Sequence, residues 1–217
     1  MHPVTNKVRR LRFGLIGAGR IADSYVQAFR AASNATLVAV ADTREDAARA
    51  MAEAAGCPSF PSHRQMLEQV ECDAVVVATP PASHPDICMD ALRRKLHVLC
   101  EKPVCLTTEA ATAIRDAAEQ NGVLFTMASK FRYAEDVIRA KALVTSGVLG
   151  DIVLFENTFM SRVDMTTRWN SKPAIAGGGV LIDNGTHSVD IMRYFLGPLQ
   201  EVYAAECPRT QALTVEE

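Results

Sequence analysis

Along the first 130 residues, short apolar runs alternate with stretches in which apolar residues recur every three or four positions, the pattern of βαβ units wound about a parallel sheet. Leu11 to Ile16 predicts a first strand, and the helix after it turns Ile21, Tyr25, Ala28/Phe29 and Ala32 inward. Thr36 to Ala41 predicts the second strand, followed by an Ala- and Met-rich helix from about Arg44 to Ala55, a short strand near Phe60 and a helix near Ser62 to Gln69. In Ala74 to Ala78 the valines at 75, 76 and 77 are consecutive; an edge strand would alternate polar with apolar, so this segment predicts a central strand covered on both faces. The next helix is expected to open with Ser83 as its N-cap and Asp86 completing the cap. His97 to Cys100 and Val123 to Met127 are the last two strands of a six-strand doubly wound domain, separated by a helix that opens at Thr107 or Thr108 and closes on Asn121-Gly122.

After Phe131 the rhythm changes. A helix from about Ala134 to Ser146 stops at Gly147, and a polar–apolar strand, Asp151 to Met160, follows with no crossover. A loop carrying Arg162, Arg168, Trp169 and Lys172 comes next, then a glycine run at 177–179, a helix from about Asp183 to Leu196 and a strand near Val202. The expected organisation is a doubly wound α/β domain at 1–130 and a partial second α/β domain at 131–217. The 217 residues agree with this, since at roughly 150 residues per domain they make about 1.4 domains.

Composition narrows the partners. With 48% hydrophobic and 22% charged residues the chain can build a core. A formal net charge of −2 supplies no basic field for a nucleic-acid backbone, so no nucleic-acid partner is expected. No apolar run approaches the roughly 18 residues of a membrane span. Residues 1 to about 10 have a basic flank, but the apolar stretch after them is broken by Gly14, Gly17, Gly19, Arg20 and Asp23, which predicts a loose leader and not a signal peptide. The six cysteines form no CxxC pair and read as reduced, mostly buried thiols of a cytoplasmic protein. His84-x3-Cys88 falls on a predicted helix and His97-x2-Cys100 on a strand, without a loop knuckle to close a tetrahedron, so no metal is expected.

Candidate chemistry collects where strands end. Gly17-Ala18-Gly19-Arg20-Ile21-Ala22 matches G-x-G-x-x-A directly between the first strand and first helix. Gly17 permits a tight turn, Gly19 lets the backbone approach a pyrophosphate, Ala22 allows close helix–strand packing, and the helix N-terminus offers N–H groups to the anion. Asp42 ends the second strand, about 20 residues on, where a carboxylate accepts from adenosine ribose hydroxyls. A carboxylate there repels a 2′-phosphate, which favours NAD, while Arg44 keeps NADP possible. Thr79-Pro80-Pro81 and Glu101-Lys102-Pro103 follow the fourth and fifth strands at the same carboxyl edge. Asp183 and His187 are four apart, a spacing that shares one face of a helix and lets a carboxylate orient an imidazole; an N-cap aspartate and a core histidine are the plainer reading of the same residues.

The glycine motif, Asp42, Thr79-Pro80, Glu101-Lys102-Pro103 and GGG-x3-D-x-G-x-H-x2-D, in this order, resemble the Gfo/Idh/MocA family of NAD(P)-dependent oxidoreductases over about Leu11 to Glu217. The resemblance implies a Rossmann N-terminal domain and a C-terminal α/β domain whose open, mainly antiparallel sheet covers the nicotinamide. It implies cofactor contacts from Gly17, Ala18, Gly19, Arg20, Ile21, Asp42, Thr79, Pro80, His84, Glu101 and Lys102. It further implies catalytic roles for Lys102, Asp183 and His187 in hydride transfer between NAD(P) and a secondary alcohol of a sugar or cyclitol. Substrate contacts are expected from Trp169, stacking on a sugar ring, and Arg168, reading an anionic group. A non-catalytic NAD-binding regulator and an NAD-dependent glycoside hydrolase are the competing readings.

Family members continue past the position of Glu217, whereas only about three strands of the second sheet, near 151–160, 200–207 and 211–215, are available here. The expectation is therefore a truncated C-terminal domain in which NAD binding survives better than catalysis. A complete sheet would join a second copy of the chain; an incomplete one leaves an unpaired edge and a bare apolar face.

Overall fold

The computed structural model describes residues 9–161 and 163–217, and the chain divides into two compact units, Met1–Met127 and Ala128–Glu217. Most of the expected leader, and Arg162, lie outside the described residues. The two leader residues that are described are tied down: Arg9 reaches the Asp73 carboxylate, and the Arg10 guanidinium donates to Ala32 O at 2.9 Å and Ala35 O at 2.7 Å.

The first unit alternates strand and helix: β1 Leu11–Ile16, α1 Ala22–Ala31, β2 Ala35–Ala41, α2 Glu45–Ala55, β3 Ser59–Phe60, α3 His63–Gln69, β4 Ala74–Val77, α4 His84–Arg93, β5 His97–Cys100, α5 Thr108–Asn121 and β6 Phe125–Met127. The strands form one parallel sheet in the order β3-β2-β1-β4-β5-β6. This is the doubly wound order, in which the chain reverses its direction of growth between β1 and β4.

The valine run explains itself in the core. Val75 and Val77 face α3, α4 and α5 with Ile16, Met66, Leu92 and Ile114, while Val76 faces α1 and α2 with Leu15, Val26, Val40 and Met51. Both faces are dry, so no position in β4 is left for a polar residue. Each such fully buried side chain contributes about 1.5–3 kcal/mol relative to exposure. Helix ends follow the local signals: Thr107 Oγ1 caps α5 by accepting from Ala110 N, and α2 and α5 stop at Gly56 and Gly122 in the left-handed region.

Ser83 does not cap α4. A 3-10 turn, Pro81–Ser83, runs straight into the helix, and the Ser83 hydroxyl donates back to Thr79 Oγ1 and Pro80 O, both at 2.8 Å. The proline opens the turn early because its fixed φ suits a first helical turn and its missing N–H costs nothing there.

The second unit contains α6 Glu135–Thr145, a short α7 Pro173–Ala176 and α8 Thr186–Leu196, with 3-10 turns at Lys130–Tyr133 and Trp169–Ser171 and a π-helical turn, Leu181–Gly185, leading into α8. The strands expected near 151–160, 200–207 and 211–215 are not formed among the described residues. A strand exists only where a neighbour takes up its backbone groups, and these segments have none. Several of their apolar residues face outward, Val153 at 96% and Tyr203 at 92% exposure, whereas Val215 is buried.

Leu92 is wholly buried between α4 and the sheet. Leu92→Ala is expected to lower the unfolding free energy by about 2–5 kcal/mol, read as a reduced midpoint in urea followed by circular dichroism.

Candidate functional site

At the carboxyl end of β1 the chain turns through Gly17, φ +103°, with its N–H on Ala41 O at 2.7 Å. A Cβ here would stand 2.6 Å from Ala78 O and 2.9 Å from Thr79 N, so the turns that follow β1 and β4 pass too closely for any side chain. At Gly19 a Cβ would meet nothing within 4 Å. That open space lies one turn before α1, where helix N–H groups face outward, and it fits a pyrophosphate. Arg20 and Ile21 sit exposed at the mouth of the helix.

Asp42, just past β2, is engaged with this turn. Its Oδ2 accepts from Ala18 N at 2.7 Å, its Oδ1 from Arg44 N at 2.8 Å, and the Arg44 guanidinium reaches on to Ala18 O at 3.2 Å. Burial pushes the Asp42 carboxyl up, but the two backbone N–H groups and the Arg44 charge outweigh it and hold it below its usual range. The Arg44 guanidinium also reaches Oδ1 at 3.4 Å and Oδ2 at 3.5 Å, so ribose hydroxyls would compete with these two long contacts for the roughly four acceptor positions of the ionised carboxylate.

The loops after β4 and β5 are locked to each other by His84. This residue is 0% exposed; its Nε2 lies 2.7 Å from Thr79 O, and its Nδ1 lies 2.9 Å from Pro103 O and 3.1 Å from Val104 O. Both ring nitrogens of His84 thus face backbone carbonyls inside the unit. Burial pushes its imidazole below the ordinary histidine range, while the carbonyls and Glu101 pull the other way. His97 Nδ1 takes the Leu124 N–H at 2.9 Å. Among the described residues no group of three or more His, Cys, Asp or Glu is gathered as ligands.

Glu101 holds the other side of the lysine loop. Its Oε1 accepts from Tyr25 Oη at 2.8 Å and its Oε2 from Lys102 N at 3.2 Å. Burial, then the Glu101 charge, pushes the Tyr25 phenol far above its usual range, so it remains a donor. Tyr25 is a residue the sequence pattern concealed, because its place on the apolar face of α1 says nothing of a hydroxyl reaching β5. Lys102 is half-buried, and its peptide bond to Pro103 is cis.

In the second unit Asp183 lies in the π-helical turn and His187 in the first turn of α8, so the regular α-helical spacing assumed for the pair does not hold throughout. Asp183 is no N-cap: its Oδ2 accepts from Asn170 Nδ2 at 3.1 Å, which ties it to the turn after Arg168 and Trp169. His187 is 8% exposed, with the Phe131 ring edge-on at 5.0 Å and the Phe159 ring at 6.5 Å. Asn170, Phe131 and Phe159 were not singled out in the sequence, since each is distant along the chain from the residue it contacts. Arg168 and Trp169 are exposed on their 3-10 turn. The glycine run serves the backbone: a Cβ on Gly179 would lie 1.8 Å from Glu216 O, and Glu216 Oε1 accepts from Gly179 N and Leu181 N at 2.8 and 3.1 Å.

A glycine turn between β1 and α1 and a switch point between β1 and β4 in a parallel sheet are features of the Rossmann class of dinucleotide-binding folds. Residues 11–129 match the GFO_IDH_MocA family, described as an oxidoreductase family with an NAD-binding Rossmann fold, and residues 137–216 match the GFO/IDH/MocA C-terminal domain. The chain belongs to this family. It is 35% identical over 191 residues to D-glucoside 3-dehydrogenase of Escherichia coli, covering 86% of this chain and 54% of the relative. It is 27% identical over 201 residues to myo-inositol 2-dehydrogenase of Thermotoga maritima, covering 89% and 58%. The crystal structure of the WlbA dehydrogenase from Bordetella pertussis, in complex with NADH and UDP-GlcNAcA, superposes with a TM-score of 0.87 at 29% identity, over 96% of this chain and 66% of that one. The chain thus spans about half to two thirds of the length of these relatives. Among its described residues no helix is long and apolar enough to cross a membrane.

The two motif glycines should separate cleanly. Gly17→Ala is expected to destabilise the fold, because the new Cβ meets backbone and φ is positive, and to show it as a lower urea midpoint. Gly19→Ala should leave that midpoint in place and weaken NAD about tenfold or more in calorimetric titration, since its methyl enters the space left for phosphate.

Proposed function

We propose that the protein transfers hydride between NAD(P) and a secondary alcohol carbon of a sugar, sugar derivative or cyclitol. The observation that carries this reading is the lysine loop. Lys102 follows β5 at the sheet edge that also bears Gly17 and Thr79, and its backbone is fixed on one side by Glu101 and on the other by His84. Such two-sided fixation of a lysine beside a nucleotide cradle is what orientation of a reacting oxygen requires.

The turn at Gly17, Ala18 and Gly19, with Arg20 and Ile21 at the helix mouth, would hold the pyrophosphate. Asp42 would take the ribose hydroxyls, and Thr79, Pro80 and Glu101 would line the same edge. When bound, NAD supplies the nicotinamide carbon that accepts the hydride. In the oxidation direction His187 receives the hydroxyl proton on a ring nitrogen. Lys102 would donate to a reacting oxygen and stabilise the charge developing on it, and Asp183 would orient His187 or a neighbouring substrate hydroxyl. Asn170, by fixing Asp183, supports that orientation. Asp42 favours NAD; Arg44, with its side chain largely exposed beside the carboxylate, is the group that would receive the extra phosphate of NADP.

Trp169 and Arg168 are proposed substrate contacts, stacking on the ring and pairing with an acidic group. The names of the relatives, a glucoside, an inositol and a nucleotide-linked sugar acid, support a polyhydroxylated substrate class. The buried free thiols at Cys88 and Cys100 support a reducing, cytoplasmic setting. The second reading, an NAD-binding chain without turnover, is favoured by the uncovered apolar residues of the second unit, Val153 and Tyr203 among them.

The two readings part in one experiment, calorimetric titration with NAD and NADP followed by a polyol screen for NADH absorbance. Turnover on a polyol is expected, with Lys102→Ala reducing kcat by about 10²–10⁴-fold while NAD binding is retained; tight NAD binding without turnover on any polyol would favour the second reading. Arg168→Ala is expected to slow acidic sugars while sparing neutral ones; equal turnover of both by wild type and variant would sink the proposed anionic contact.

A further inference from the structure

The final aspartate of the GGG-x3-D-x-G-x-H-x2-D run, Asp190, has no part in the proton and hydride steps, yet it is among the best-anchored carboxylates of the second unit. Arg132 meets it with a two-pronged fit: Nε lies 3.0 and 2.9 Å from Oδ1 and Oδ2, and a terminal guanidinium nitrogen lies 2.7 Å from Oδ1. The Asp190 side chain is 11% exposed and that of Arg132 39%. The guanidinium also lies over the Tyr194 ring, 5.3 Å from its centroid, and Lys141 Nζ stands 5.6 Å from the same ring and donates to Phe195 O at 3.2 Å.

His187, Asp190 and Tyr194 are spaced by three and four residues along α8 and so share one stripe of that helix. The 3-10 turn Lys130–Tyr133 runs along this stripe with consecutive residues. Phe131 sets its ring against His187 at 5.0 Å and an interplanar angle of 89°, and Arg132 grips Asp190 and Tyr194 one turn further on. An aromatic edge contact tolerates sliding; a bidentate guanidinium–carboxylate pair does not, because both of its hydrogen bonds lengthen together. The pair therefore sets where Phe131 stands along the helix.

We infer that Asp190 and Arg132 are positioning residues for His187: their ion pair fixes the register of the Lys130–Tyr133 turn on α8, and Phe131, carried by that turn, holds the imidazole in its orientation. The inference rests on the reading of His187 as the proton acceptor only for its catalytic consequence. The packing it describes is testable without turnover.

The test follows the ring resonances of His187 in the 217-residue chain labelled at its five histidines, assigned by their loss in His187→Gln. In Asp190→Asn and in Arg132→Gln these resonances are expected to move away from their native positions and to broaden, as they should in Phe131→Leu with the ion pair intact. Asp190→Glu, which keeps the pair, should leave them near the native values. Where polyol turnover is measured, kcat should fall roughly ten- to hundredfold in Asp190→Asn, as for a misplaced reacting group. KM should change by less than about twofold, since no substrate contact is lost. Native His187 resonances in both Asp190→Asn and Arg132→Gln, with an otherwise native amide spectrum, would overturn the inference. Should Asp190→Asn unfold the second unit, Arg132→Lys decides by the same resonances, because it keeps the charge and loses the two-pronged fit. If His187→Gln retains turnover while Asp190→Asn still moves the imidazole, the base assignment falls and the positioning inference stands.

Discussion

The turns after β1 and β4 pass within a distance that excludes even a methyl group, and the rest of the nucleotide cradle depends on that approach. Gly17 is the only residue type that can stand beside Ala78 with a φ of +103°. Because β1 and β4 are neighbours in the parallel sheet, while the helices that follow β1 and β4 lie on opposite faces, their carboxyl ends open a crevice. A side chain at Gly17 would push the strands apart and disturb both apolar layers at once, since Leu15, Ile16, Val76 and Val77 end within two residues of the contact. The missing side chain at Gly19 has another cause. It meets no protein atom and leaves space for a ligand.

Along the same edge, order is achieved by polar groups buried against one another. His84 ties the backbone of the Thr79 loop to that of the Lys102 loop, and Tyr25 reaches from α1 to Glu101. A neutral imidazole donates from one nitrogen only, so a carbonyl on each side leaves one of them facing a lone pair unless the ring carries both protons. Burial opposes that second proton, and Glu101 with the carbonyls favours it. The ring is thus held between two loops whose relative placement decides where Lys102 begins. Loss of either tie would leave the sheet intact and the lysine less well placed, which is how a fold and a site can fail separately.

The second unit is organised differently. Its order comes from side chains on one stripe of α8, from the Glu216 carboxylate on the N–H groups at the start of the π-helical turn, and from Asn170 on Asp183. It has no ladder of backbone hydrogen bonds among its described residues, and several long apolar side chains remain in solvent.

The six strands, their parallel order and most helix limits of the first unit were legible in the chain, because period, capping residues and glycines act within a few residues of where they stand. β1, β5 and the cap at Thr107 are examples. The turn that joins β1 to α1 was legible for the same reason: its glycines, helix and the Asp42 carboxylate lie in one βαβ unit. What the sequence could not determine was every pairing across the fold. An apolar-face tyrosine bonded to Glu101, a histidine buried between two loops, and an aspartate held by Asn170 are all decided by partners far along the chain. Strands read at 151–160 and 200–207 failed for the complementary reason: alternation records which side of a segment is apolar, whereas a strand also needs a neighbour, and only the tertiary structure supplies or withholds one.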